Sequence, residues 1–137
     1  MNILIAAIGK ISAREAEGQI IAEYSKRLQW KVRIIEKSDS LLGSIPKDYL
    51  LVALDETGVN LTSREFASYI SNLQIQGKTN LAFAIGAADG HTPELIKRSD
   101  YVLSLGKITL PHKLARAVLI EQLYRAQTII SGHPYHK

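Results

Sequence analysis

Residues 2–8, Asn-Ile-Leu-Ile-Ala-Ala-Ile, are almost entirely apolar and stop at Gly9. A strand apolar at every position, rather than at alternate ones, is buried on both faces and needs a layer above and below its sheet. The pattern then recurs. Ser12 and Glu15 have the S-x-x-E spacing of a capping box, and Ala16, Ile20, Tyr24 and Leu28 follow on one helical face. Val32–Glu36 reads as a second strand, 37–48 as a polar loop, and Tyr49–Leu54 as a third strand ending at Asp55-Glu56-Thr57-Gly58. Thr62 and Glu65 form a second box, Phe66, Ile70 and Leu73 line the next helix, and Gly77 sits where it ends. Leu81–Ile85 is a fourth strand, Thr92-Pro93-Glu94 a helix start, and Tyr101–Leu105 a short fifth strand. The last helix spans about Lys113 to Ser131 and closes at Gly132, leaving the tail His133-Pro134-Tyr135-His136-Lys137. Apolar strands alternating with helices specify an α/β fold, one domain over 1–137, with a mostly parallel sheet and helices on both faces.

At 137 residues the chain has no room for separate substrate and cofactor domains. It contains no cysteine, which excludes a disulfide scaffold, a thiolate metal site and a cysteine nucleophile. No apolar run reaches the ~20 residues of a membrane span, and Met1-Asn2-Ile3-Leu4-Ile5 has no cationic stretch of the kind that opens a signal peptide. These features read as a cytoplasmic protein. The net charge of +4 points only weakly to a polyanionic partner.

In a parallel sheet ligands bind beyond the carboxyl ends of the strands. That selects Gly9–Ser12, Asp55–Asn60, Gly86–His91 and Leu105–Leu110. The first loop has one glycine, so a G-x-G-x-x-G dinucleotide turn is excluded, as is an acidic phosphoacceptor cluster. Gly86 and Gly90 suit a plain strand-to-helix turn as well as a ligand loop. Three of the four histidines, His112, His133 and His136, lie near the C-terminus with Lys107, Lys113, Arg116, Arg125 and Lys137, against a single acid, Glu121. A metal site is a poor reading, because His133-x-x-His136 spans a proline and no carboxylate cluster accompanies it. Glu121 and Arg125, four apart, suit a simple helix ion pair. Tyr135 between two histidines and a terminal lysine offers a stacking surface, cations for phosphate and imidazoles for proton transfer.

Leu54-Asp55-Glu56-Thr57-Gly58, Ile85-Gly86-Ala87-Ala88-Asp89-Gly90 and the block Leu105–Lys137 carry a resemblance to a known family. With Leu110-Pro111-His112, Arg116, Glu121-Gln122-Leu123-Tyr124-Arg125-Ala126 and His133-Pro134-Tyr135-His136, the chain resembles the RlmH family of SPOUT methyltransferases, which methylate pseudouridine in bacterial large-subunit (23S) rRNA. The resemblance implies a C-terminal trefoil knot, which nothing in the periodicity indicates. It implies S-adenosylmethionine held by Leu54, Gly86 and the segment Leu105, Gly106, Lys107, Ile108, Thr109 and Leu110. It also implies a homodimer in which one subunit's tail completes the other's active site. His133, Tyr135, His136 and Lys137 are then expected to grip the RNA, with Arg116, Glu121 and Arg125 nearer the reacting edge, and His136 is favoured as the group taking the pseudouridine N3 proton.

Two departures from the family pattern stand out. Ala87 replaces a customary glycine, which would cost about 1–2 kcal/mol if its φ were positive. The segment Lys37–Asp48 is shorter than the basic stretch of many relatives. The competing reading is a catalytically silent RNA- or ribosome-binding module of the same fold. Leu114, Val118 and Ile129 on the last helix suit either the core or a dimer seam.

Overall fold

A computed structural model describes all residues, Met1–Lys137. Its elements are β1 (Asn2–Ile8), α1 (Ala16–Arg27), β2 (Lys31–Lys37), a 3-10 turn at Leu42–Ser44, β3 (Leu50–Asn60), α2 (Ser63–Ile75), β4 (Asn80–Ile85), α3 (Pro93–Arg98), β5 (Tyr101–Ser104) and α4 (His112–Ser131). The five strands form one sheet in the order β2-β1-β4-β3-β5, parallel throughout. The α/β class expected from the apolar runs is the fold observed.

Both strand faces are buried, as the unbroken apolar runs require. Ile3, Ile5, Val52 and Phe83 point to one side, under α1, α2 and α4. Leu4, Ala6, Ala53, Ala82 and Ala84 point to the other, beneath Leu41, Ile45 and Leu95 from the 3-10 turn and α3. The alanines suit a thin cover on that second side.

Local signals explain most helix ends. In α2 the Thr62 Oγ1 accepts the Glu65 N–H at 3.1 Å while Glu65 accepts the Thr62 N–H at 2.8 Å, a complete capping box. Gly132, with φ 79°, ends α4, and the His133 N–H donates to the Thr128 carbonyl.

Two expectations change. Ser12 does not cap α1, because Glu15 itself stands at the N-cap position. Its carboxylate accepts the Ser12 N–H at 2.7 Å and the Lys113 ammonium at 2.5 Å, its backbone stays extended, and the helix starts at Ala16. The Glu15 half of the box is thus made, while the Ser12 Oγ accepts the Arg14 N–H at 3.1 Å rather than that of Glu15. Asp55–Asn60 is not a free loop either. Leu54 and Val59 both pair with Leu103, so 55–58 form an outward bulge within β3. Gly58 makes this possible, since a Cβ there would lie 2.7 Å from the Val102 carbonyl. Gly58→Ala is expected to lower stability by about 1–3 kcal/mol, measured as a fall in the thermal midpoint.

Candidate active site

The three loops beyond β4, β3 and β5 stand on adjacent strands. Asp55 accepts the Thr57 hydroxyl and, at 2.9 Å, the Thr57 N–H. These bonds, with the nearby His91, hold its carboxyl below the usual aspartate value against the opposing effect of burial. Glu56 accepts from the Thr109 hydroxyl at 3.3 Å, joining the β3 bulge to the segment after β5.

Beyond β4 the chain makes a tight turn. The Gly90 N–H donates to the Ala87 carbonyl at 2.9 Å, and Gly90 takes φ 82°. Gly86 is confined, because a Cβ there would lie 3.0 Å from the Gly90 carbonyl oxygen and 3.2 Å from the His91 ring. No residue other than glycine has positive φ, so Ala87 carries no left-handed strain and the family's extra glycine is not needed here. His91 closes the turn, with Nε2 3.0 Å from the Leu54 carbonyl and 3.1 Å from that of Ala84.

After β5, Ser104 Oγ bonds both the Gly106 carbonyl and the Gly106 N–H, turning the chain. Gly106 has φ 140°. The N–H groups of Lys107, Ile108, Thr109 and Leu110 make no hydrogen bond within the chain. Residues 105–111 then pass from the sheet edge to α4, whose His112 lies against Gly9 beyond β1.

Arg116 is placed inside the molecule, only 1% exposed. It donates to Glu36 at 2.6 Å and to the Gly9 carbonyl at 3.0 Å, while its Nε has no partner. It therefore ties α4 to the ends of β1 and β2, and none of its hydrogen bonds goes to the tail.

The tail folds back on α4 and α1. The Tyr135 and Tyr24 hydroxyls share a hydrogen bond at 3.0 Å, and Tyr135 also donates to Glu121 at 3.4 Å. The Tyr135 ring meets Tyr124 edge-on at 4.8 Å, with the Arg125 guanidinium 4.8 Å from its centre. Arg125 pairs with Glu121 at 2.6 Å and donates to His136 Nδ1 at 3.0 Å. Glu121, Arg125, Tyr135 and His136 thus form one cluster. Burial, followed by the Tyr24 hydrogen bond and the Glu121 charge, pushes the Tyr135 phenol far above its ordinary value. Tyr135 therefore keeps its proton near neutral pH, where it donates hydrogen bonds and does not serve as a base. The His133 ring bonds only within the tail, accepting the Tyr135 N–H at 3.3 Å, and Lys137 is exposed.

The cluster and the loops are separate in one chain. Helix α4 runs from His112 beside Gly9 down to Gln127, which accepts the N–H groups of Gln29 and Trp30 before β2. Glu121 therefore lies about 13 Å below the loop end of α4, at 1.5 Å per residue. Sequence reasoning missed Tyr24 as Tyr135's partner, since the two are 111 residues apart. It also passed over His91, although the strand-end rule had selected its loop.

A family model described as predicted SPOUT methyltransferase matches residues 1–136. The chain belongs to the SPOUT methyltransferase family. A Zymomonas mobilis protein named ribosomal RNA large subunit methyltransferase H is 45% identical over all of this chain and 99% of its own. A protein of the same name from Erythrobacter litoralis is 42% identical, with coverage of 100% and 99%. Among solved structures, a probable methylase family protein from Haemophilus influenzae matches the fold with a TM-score of 0.67 at 15% identity, covering 99% of this chain and 70% of that one. SPOUT methyltransferases take the methyl group from a donor of the S-adenosylmethionine type. The residues present fit such a donor: four unpaired backbone N–H groups at 107–110, the carboxylates of Asp55 and Glu56, and close-packed backbone at Gly86 lie beyond the ends of three adjacent strands. No group of three or more His, Asp or Glu is placed to hold a metal ion, and no helix is long and apolar enough to cross a membrane.

Proposed function

We propose that this SPOUT methyltransferase, acting through residues 1–137 as one domain, transfers a methyl group from S-adenosylmethionine to N3 of a pseudouridine in 23S rRNA on the cytoplasmic ribosome. The observation that carries the reading is the end-to-end likeness to proteins named ribosomal RNA large subunit methyltransferase H. Leu54, Gly86 and Leu105, with Gly106, Lys107, Ile108, Thr109 and Leu110, hold the donor. The passage of 105–111 across the strand ends supports the trefoil threading of the C-terminal part.

The working unit is a homodimer. The loops and the tail cluster stand apart in one chain, so a second copy brings its tail to the first copy's loops. Ile108, 82% exposed, and Leu114, 38% exposed, offer an apolar seam beside the donor loop, whereas Ile129 packs in the core.

When bound, the donor supplies an electrophilic methyl on a sulfonium. The N3–methyl bond forms, the sulfur–methyl bond breaks with its electron pair kept by sulfur, and the N3 proton must leave. Arg125 and Lys137 stabilise negative charge developing on the base. Tyr135 donates a hydrogen bond and offers its ring for stacking. His136 accepts the proton once its Nδ1 is released by Arg125, and His133 contacts RNA. Arg116 acts from within, holding the loop after β1.

The test is incubation of ribosomal subunits lacking the modification with the protein and methyl-labelled S-adenosylmethionine, followed by mapping of the label. Label at N3 of a single pseudouridine is expected. Tight ribosome binding without incorporation would establish the silent-module alternative instead.

A further inference from the structure

His133 and His136 sit in the C-terminal tail and His112 opens α4 beside Gly9, whereas His91 stands beyond the ends of β3 and β4. Its Nε2 faces two carbonyl oxygens, those of Leu54 at 3.0 Å and Ala84 at 3.1 Å. Two acceptors fix the proton on Nε2, because a bare lone pair there would be repelled by both. One N–H therefore bridges the ends of β3 and β4, where the backbone ladder stops at the Leu54–Ile85 pair. The ring is seated as well as bonded: a Cβ at Gly86 would lie 3.2 Å from its Nδ1.

We propose that His91 is a positioning residue for the methyl-donor site, locking the Leu54 and Gly86 ends at fixed separation so that the cleft is formed before the donor arrives. The proposal rests on the reading that these strand ends hold S-adenosylmethionine. Without the ring, the carbonyls of Leu54 and Ala84 lose their shared donor, the bulge at 55–58 loses one of its anchors, and binding must order the cleft at its own expense. The effect belongs to affinity, not to the chemical step.

The experiment is calorimetric titration with S-adenosylhomocysteine of the wild type, His91→Leu and His91→Gln, with methylation kinetics on ribosomal subunits alongside. Gln is the informative variant, because its amide nitrogen lies near the position of Nε2 and carries two hydrogens, one for each carbonyl. His91→Leu is expected to weaken binding about tenfold and to raise the donor KM with little change in kcat, while His91→Gln recovers most of the loss. Amide exchange at 54–56 and 86–90 should quicken in His91→Leu alone. A purely structural role would instead reduce the active fraction and kcat, leaving KM unchanged, and that outcome overturns the proposal. Wild-type affinity in His91→Leu, or no recovery in His91→Gln, overturns it too. If the wild type itself binds no S-adenosylhomocysteine, the underlying reading of the cleft fails, and His91 falls with it.

Discussion

Removal of residues 133–137 lowers the methylation rate on ribosomal subunits by about 10²- to 10⁴-fold, the range spanned by a positioned proton-transfer group. Donor affinity stays near that of the wild type, because the groups assigned to the donor are on the strand-end loops, whereas the tail, which packs on Tyr24, Tyr124 and Glu121 of its own chain, is assigned to the RNA. The division follows from the geometry of α4, along which Glu121 lies about 13 Å from the end at His112. Single-turnover rates at saturating donor, paired with S-adenosylhomocysteine titrations, read the two effects separately. Tyr135→Phe refines the result. It keeps the ring beneath the Arg125 guanidinium at 4.8 Å and loses the hydroxyl bonds to Tyr24 and Glu121. A fall of about tenfold is expected, in line with one lost hydrogen bond to a charged group. A truncated chain that methylates at the wild-type rate would remove the tail from catalysis.

How far the sequence discloses this protein depends on the range of the interaction involved. The parallel sheet is legible in residues 2–8, 49–54 and 81–85, since burial on both faces leaves its mark at every position of a strand. Thr62 and Glu65 cap α2 as their spacing predicts, because both partners lie within one helical turn. Ser12 and Glu15 complete only half of theirs: Glu15 accepts the Ser12 N–H, but the Ser12 hydroxyl oxygen accepts the Arg14 N–H instead of that of Glu15. The β3 bulge is hidden, as it depends on β5 approaching Gly58 from another part of the chain. The candidate site divides likewise. Strand-end loops are predictable from topology alone, and Glu121 and Arg125 from their spacing. Tyr24 beneath Tyr135, and Arg116 turned inward to Glu36, are contacts that only the assembled fold creates.

Arg116→Met is expected to lower stability by about 2–4 kcal/mol at neutral pH, or roughly 5–15 °C in thermal midpoint. Methionine replaces much of the volume, so the loss is mainly electrostatic. Arg116 is 1% exposed and serves both Glu36 and the Gly9 carbonyl. Its removal leaves a partly buried carboxylate with only the Ile11 N–H, at 2.8 Å, as a close partner. The penalty falls below that of a fully enclosed pair because the Glu36 side chain keeps 28% of its exposure. Burial raises the Glu36 carboxyl, but the Ile11 N–H and Arg116 outweigh it and hold the group below its ordinary value of 4.5. A carboxyl lowered on folding contributes its full stabilisation above the unfolded value and loses it as pH falls through the folded one. The gap between wild type and Arg116→Met should therefore be widest near pH 7 and shrink below about pH 4, as denaturant unfolding at both pH values will show. The double variant Arg116→Met/Glu36→Gln should recover part of the loss, since the stranded charge is then absent. Folded Arg116→Met should keep a kcat close to that of the wild type, because the guanidinium lies inside the fold, away from the tail cluster. A large fall in kcat with unchanged stability would move Arg116 from the scaffold to the reacting edge.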